Sequence, residues 1–273
     1  MVKKILHLNK NAQQRDRSLW DLVADDFISF IHKKDNGNSD ILRNELLLPN
    51  LFDVLGEVSG KRILDVGCGD GALSQELELR GAIVEGFDFS EKMIDAARER
   101  KKKNKLKATF MVGSVHDPDL YEHESFDILI ANMVLHELDD LEKVVESLLQ
   151  HLKPGGTFIF SIFHPAFDMN ISQAVNYTDL DRALEENSAR WQYEITTPYK
   201  TEVRYERSYA FSDKLIPYYF RPIETYVRTL IDNEIRVRIF KELALSYNQA
   251  KKAHNKGHAY FVPRFLLVGG DKL

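Results

Sequence analysis

In the stretch ILDVGCGDGAL, residues 63–73, Asp65 stands two positions ahead of Gly67, and Gly69 and Gly71 follow at alternate positions. Glycine admits dihedrals closed to other residues, so this loop suits a ligand that must approach the main chain closely. Asp88 ends the next apolar run, about 20 residues on, where a carboxylate can accept hydrogen bonds from both hydroxyls of a ribose. A ligand containing a nucleoside follows. The glycines leave its identity open, because Gly67, Gly69 and Ala72 also satisfy the dinucleotide pattern G-x-G-x-x-G/A.

The acids narrow the choice. Anions near a helix N-terminus disfavour a pyrophosphate, yet Asp65 and Asp70 flank this loop. Two acids suit a ligand with an ammonium group, and S-adenosylmethionine carries an adenosine, an ammonium and a sulfonium without any phosphate. An NAD-dependent oxidoreductase and a non-catalytic binding or regulatory protein are the competing readings.

Alternating strands and helices must position these residues. RILDVG, AIVEGFDF, ATFMVGSV, FDILIANMVL and TFIFSIF are apolar and strand-like. GALSQELELRG, SEKMIDAARERKKK and DLEKVVESLLQHL between them have helical spacing. Ser90 is an N-cap for the second of these helices, Asp139 or Asp140 caps the third, and KPGG is a turn. The alternation predicts a parallel sheet covered on both faces. Ahead of it, two helical segments make an N-terminal extension over residues 1–60, and the α/β domain occupies 61–273. Regularity stops after the fifth strand, where residues 166–221 form an insertion whose EVRYERSYAF and KLIPYYF suggest an antiparallel pair.

The chain has 273 residues with 44% hydrophobic and 29% charged, enough for one large domain with a buried core. A net charge of −5 draws it toward neither nucleic acid nor an anionic membrane. The single cysteine, Cys68, excludes an intramolecular disulfide and suits a reducing cytoplasm. The opening MVKKILHLNK begins like a signal peptide, but its apolar run is too short. A cytoplasmic protein without a membrane span or metal site is expected.

ILDVGCGDGAL, FDFS, FDILIANMVLHEL and LKPGGTFIFSIFHP, taken in order, resemble the successive motifs of class I S-adenosylmethionine-dependent methyltransferases. The resemblance is strong over 61–165 and weaker at FRPIETYVRTLIDNEI. It implies a Rossmann-like seven-stranded sheet with its last strand antiparallel. It also implies that Gly67, Gly69 and Gly71 line the methionine part of the cofactor, that Asp65 holds its ammonium and Asp88 its ribose, and that Phe89 packs near the adenine. Ser114 and Val115 occupy a position where the family often has an acid. Asn132 and Met133 would lie beneath the sulfonium.

Methyl transfer from a sulfonium leaves a neutral thioether, so a base is needed only when the acceptor keeps its proton at neutral pH. His136 follows the fourth strand and His164 ends the fifth, and both are candidate bases, His164 the favoured one. His116 is a poorer candidate. The insertion, with Trp191, Tyr193, Tyr209 and Tyr219 among its aromatics, is expected to be a lid over a small-molecule acceptor. Arg221 should point into the same cleft; related sequences often have a histidine where this chain has Phe220. The reading is transfer to an oxygen or nitrogen of a small molecule, with no role for nucleic acid.

Overall fold

The structure, a computed structural model, describes residues 12–32, 41–117, 119–168, 199, 202–209, 211–252 and 262–273. The five apolar runs become β1 (Arg62–Val66), β2 (Ile83–Asp88), β3 (Thr109–Val112), β4 (Phe126–Asn132) and β5 (Leu152–Phe163), all parallel. Two later strands, β8 (Ile235–Leu243) and β9 (Phe265–Lys272), complete a seven-stranded sheet of order β3-β2-β1-β4-β5-β9-β8. β9 runs antiparallel to both β5 and β8, so it is the one reversed strand. The strand order reverses between β1 and β4, which opens a crevice at the carboxyl edge beyond them.

Neighbouring residues of a strand turn to opposite faces, and the core divides accordingly. Ile63, Ile130 and Ile159 join Leu77 and Leu51 on one face, whereas Leu64, Leu129 and Phe158 join Leu148 and Leu230 on the other. Burial on both faces explains why these strands read as apolar runs rather than as alternating patterns. Leu46, Leu47 and Leu51 come from a π-helical segment, Ile41–Leu47, and from α2, Leu48–Leu55, and they belong to the same core cluster as Ile63. The later part of the expected N-terminal extension is therefore core.

Helix α1 (Ala12–His32) does something different. It bridges the start of α4 (Glu91–Asn104) and a hairpin made by β6 (Val203–Tyr209) and β7 (Ser212–Phe220). The Ser90 hydroxyl donates to Asp21 at 2.6 Å and Lys92 pairs with Asp25 at 2.9 Å, while the Ser212 hydroxyl donates to Asp26 at 2.8 Å. The hairpin is the antiparallel pair expected in the insertion, with Arg204 opposite Tyr219. Trp191 and Tyr193 lie outside the described residues.

Several local expectations shift. The fourth strand stops at Asn132, not at Leu135, because Met133 turns to φ 63° and its N–H binds Ser161 of β5. A short 3-10 turn, Leu135–Glu137, follows. Ser90 caps α4 by accepting from the Met93 N–H, as expected. Asp140 occupies the N-cap of α5 (Leu141–Leu149) without a capping bond, because its carboxylate is engaged by Lys143. KPGG is absorbed into the start of β5, where Gly155 has φ 73°. No helix among the described residues is long and apolar enough to cross a membrane.

If the segment carrying Leu51 is core rather than appendage, Leu51→Ala should cost about 2–5 kcal/mol, as for other buried leucines. Urea denaturation of the variant measures this directly. A loss under about 1 kcal/mol would place the segment outside the cooperative unit.

Candidate active site

The loop after β1 is built on left-handed backbone. Gly67 and Gly69 have φ 63° and 53°, and a Cβ on Gly67 would meet a Val134 methyl at 2.6 Å. At Gly69 a Cβ would meet nothing within 4 Å, since this residue faces open space. The Gly69 N–H donates to Asp88 at 3.0 Å and the Ser90 N–H to its other oxygen at 2.9 Å, which fixes the carboxylate at the end of β2. Asp65, 1% exposed, accepts from the Ser74 hydroxyl of α3 (Ala72–Leu79) at 2.6 Å. Both lie at the carboxyl edge of the sheet. Both border a cavity of about 870 Å³.

Burial dominates the electrostatics here. It pushes the Asp65 carboxyl up to about 7, against the opposing Ser74 hydrogen bond and with help from Asp88 and Asp70. Asp88 rises to about 6, again chiefly from burial and against its two backbone donors. Asp70 differs, because Arg100 of α4 forms an ion pair with it and also donates to its carbonyl at 2.8 Å. Its charge is thus answered within the protein, and the argument from two loop acids rests on Asp65.

Phe89, Ser114, Val115, Asn132 and Met133 line the same cavity as Asp65, Gly67, Gly69 and Asp88. Gly71 does not line it. With φ 75° it starts α3, and its missing Cβ leaves room for Phe110 and Ala97. Ser114 uses its hydroxyl locally, accepting from the His116 N–H at 3.3 Å. The Ser161 hydroxyl donates to the Asn132 side chain at 2.8 Å.

The acceptor-side candidates separate. His136, 1% exposed, lines the cavity, packed against Phe163 and Tyr218 with ring centroids at 5.2 Å. His164, equally buried, is not among the lining residues. Its Nε2 meets Glu242 of β8 at 2.8 Å, and its Nδ1 accepts from the Ala166 N–H at 3.3 Å. With one nitrogen accepting and the other directed at a carboxylate, His164 is a tie between strands rather than the base expected of it. Arg221 also lies outside the cavity lining. It donates to the carbonyls of Leu135 and Leu138, at 3.2 and 2.7 Å, and so clamps the turn that carries His136. Tyr219, likewise outside it, accepts from Arg204 at 3.3 Å. His116 lines the cavity and is tied to Asp139 at 3.3 Å, which holds that carboxyl below its usual range.

The sequence reading missed Glu137 and the aromatic cap. Glu137 follows His136 on the same turn, lines the cavity and accepts from the Tyr209 hydroxyl at 3.2 Å. Burial lifts its carboxyl to about 8. Its position next to His136 at a strand end was the available signal. Trp20, Phe27 and Phe30 of α1 meet Phe211 of the hairpin tip in edge and tilted contacts of 5.1–6.3 Å and line the cavity. Their helical spacing reads equally well as ordinary core.

Buried, partly protonated carboxyls beside a glycine turn fit a ligand that brings hydroxyl donors and a positive charge, and fit a pyrophosphate poorly. With a single reversed strand in the sheet, this is the architecture of class I S-adenosylmethionine-dependent methyltransferases. Residues 57–218 match the family model described as a methyltransferase domain, and the chain belongs to that family. Among curated proteins it is 33% identical over 110 residues to a ubiquinone biosynthesis O-methyltransferase of Coxiella burnetii, covering 40% of this chain and 47% of that one. A namesake from Shewanella sp. is 30% identical over 120 residues, or 44% and 51% of the two chains. The chain thus matches about half the length of these relatives. Among solved structures, an S-adenosylmethionine-dependent methyltransferase from Mesorhizobium loti superposes with TM-score 0.67 at 26% identity, over 82% of this chain and 96% of that one. The 1,6-didemethyltoxoflavin-N1-methyltransferase of Burkholderia thailandensis shares the fold with TM-score 0.61 at 14% identity, over 99% and 94%.

The raised carboxyls carry a pH dependence of defined sign. The ligand-free fold retains protons that the unfolded chain releases near pH ~4, so its stability falls as pH rises through the 6 to 8 window. A ligand with an ammonium group favours the ionised carboxylates and must expel those protons. S-adenosylhomocysteine should therefore bind at least about threefold tighter at pH 8 than at pH 6. Calorimetry at pH 6.5 in two buffers of different ionisation enthalpy should show proton release. Equal heats in both would mean that the carboxyls are already ionised.

Proposed function

We propose that this chain transfers a methyl group from S-adenosylmethionine to an oxygen or nitrogen of a small-molecule acceptor. The observation that carries the reading is one continuous cavity. It reaches from Asp65, Gly69 and Asp88 to an aromatic space holding His136. When bound, the cofactor supplies an electrophilic methyl whose departure from sulfur leaves a neutral thioether. The chain's residues then have three tasks. Asp88 accepts the ribose hydroxyls and Asp65 takes the ammonium. Asn132 and Met133, at the end of β4, border the methyl side. The aromatic walls orient the acceptor, which is where most of the acceleration of an in-line transfer arises.

The names of the relatives, an O-methyltransferase and an N1-methyltransferase, support an oxygen or nitrogen acceptor. The net charge of −5 and the acids around the cavity speak against nucleic acid. Tyr209 and Phe211 line the cavity from the hairpin, which supports residues 166–221 as an acceptor lid on the domain at 61–273. A buried free Cys68 suits a cytoplasmic location. Of the two histidines that end β4 and β5, His136 is the one that borders the acceptor space, while His164 is tied to Glu242.

S-adenosylmethionine and S-adenosylhomocysteine should raise the melting temperature, and NAD and NADP should not. Asp88→Ala removes a charged acceptor of two hydroxyls, so affinity for S-adenosylhomocysteine should drop at least about tenfold. His164→Ala should lower stability while leaving that affinity nearly unchanged. Stabilisation by NAD alone would overturn the assignment.

A further inference from the structure

Glu137 is placed as few buried acids are. The turn that carries it is clamped on both sides, since Arg221 holds the carbonyls of Leu135 and Leu138. Its side chain, 15% exposed, faces the cavity. Polar groups act on it from several elements: the Tyr209 hydroxyl at 3.2 Å and the Arg207 guanidinium from β6, the Trp20 indole from α1, the Asp88 carboxylate from β2, and the His136 ring at 3.9 Å on its own turn, while β5 and β7 bring Phe163 and Tyr218 against that turn. Around this cluster the walls are flat and apolar. Phe163 stacks on Tyr209 with centroids at 6.2 Å, and Tyr209 on Phe211 at 5.4 Å and 9°. Arg207 lies over the rings of Phe163, Tyr209 and Tyr218 at 4.9–5.2 Å.

We propose that the acceptor is a phenol-like aromatic hydroxyl compound and that Glu137 takes its proton; this rests on the methyltransferase reading above. Aromatic walls recognise a flat ring, and a carboxyl set among them recognises an acidic hydroxyl. The acidities match. Burial holds Glu137 at about 8, and a phenol near ~10 is close enough for proton transfer, whereas an aliphatic alcohol lies far above. Arg207, a cation acting on the same carboxyl, favours a developing phenolate over an ammonium acceptor. In the step, the acceptor's O–H bond breaks and its proton goes to a Glu137 carboxylate oxygen. The electron pair left on oxygen forms the bond to the methyl carbon, and the carbon–sulfur pair stays with sulfur. Glu137 afterwards loses the proton to water. Ionised Glu137 is the active form, so both phenol binding and transfer should strengthen as pH rises through about 8.

The test uses the full chain loaded with S-adenosylhomocysteine, with 4-methylphenol as probe and 4-methylcyclohexanol as its non-aromatic counterpart. Calorimetry should show 4-methylphenol binding at least about tenfold tighter than the alcohol, with affinity rising between pH 6.5 and 9. Glu137→Gln should flatten that rise, weaken 4-methylphenol at least about fivefold at pH 9, and leave S-adenosylhomocysteine affinity within about threefold. With S-adenosylmethionine, single-turnover formation of the methyl ether should fall by about 10²–10⁴ in the variant. Equal binding of the alcohol, or a pH rise that survives in Glu137→Gln, would overturn the proposal. Should that variant fail to fold, Glu137→Asp serves instead: it keeps the carboxyl, so it must keep the rise, and a flat profile would count against Glu137. The 4-methylphenol titration is also run without S-adenosylhomocysteine. Failure of S-adenosylhomocysteine to bind wild type would then sink the methyltransferase reading separately.

Discussion

Three carboxyl groups, those of Asp65, Asp88 and Glu137, lose water together around one cavity, and much of the fold serves to hold them there. Burying a carboxylate is expensive unless it is paired and hydrogen-bonded. Each of these acids receives hydroxyl, indole or backbone donors: Ser74 for Asp65, Gly69 and Ser90 for Asp88, Tyr209 and Trp20 for Glu137. In each, desolvation outweighs those donors and the carboxyl is lifted. Asp70 shows the alternative. It sits on the same loop but has Arg100 as partner. Asp70 is thus paired with a cation of the protein, while Asp65, Asp88 and Glu137 are lifted by burial at the cavity.

Parallel strands make this grouping possible. Their carboxyl ends share one edge, so Asp65, Asp88 and Asn132 meet although far apart in the chain. The same edge is open to water unless something covers it. α1 and the β6–β7 hairpin do so, meeting through Phe211 and the aromatics of α1 and joined by Ser212 and Lys214 to Asp26. The Lys214 link involves half-exposed side chains and is weak. The cover is also held by its aromatic contacts, and it is anchored beneath by Tyr209 on Phe163 and Glu137 and by Arg221 on the turn after β4.

How legible this was depended on range. Strand runs, the glycine turn and the Ser90 cap are local, and the sequence states them through composition and spacing. The place of Asp88 at the end of β2 was legible because its distance from the glycines is set by one β-α-β unit. The acceptor side is built from long-range pairs that leave no local pattern: His164 with Glu242, Arg221 with the carbonyls of Leu135 and Leu138, Phe211 with Trp20. A histidine at a strand end looks the same in sequence whether it faces a cavity or a neighbouring carboxylate. So does an aromatic on a helix face. Gly71 misled for the opposite reason, since its left-handed turn is needed for packing against Phe110 rather than for a ligand.

The division of labour follows the chain. The residues proposed to face the cofactor come from 65–133, within one run of β-α units. Those proposed for the acceptor side come from α1 before it and from the turn after β4 and the hairpin after it. The match to the family model ends at residue 218, before Arg221, Glu242 and Arg264. Arg221 clamps the turn after β4, and Met133 is held at φ 63° by both the hydroxyl and the carbonyl of Ser161 on β5. A non-glycine residue in that conformation is strained and persists only where its surroundings over-determine it. The strained turn sits between the two halves of the cavity, with Asn132 on one side and His136 and Glu137 on the other. Of its two supports, Ser161 lies within the matched segment and Arg221 beyond it, so the aim of His136 and Glu137 depends on residues from both.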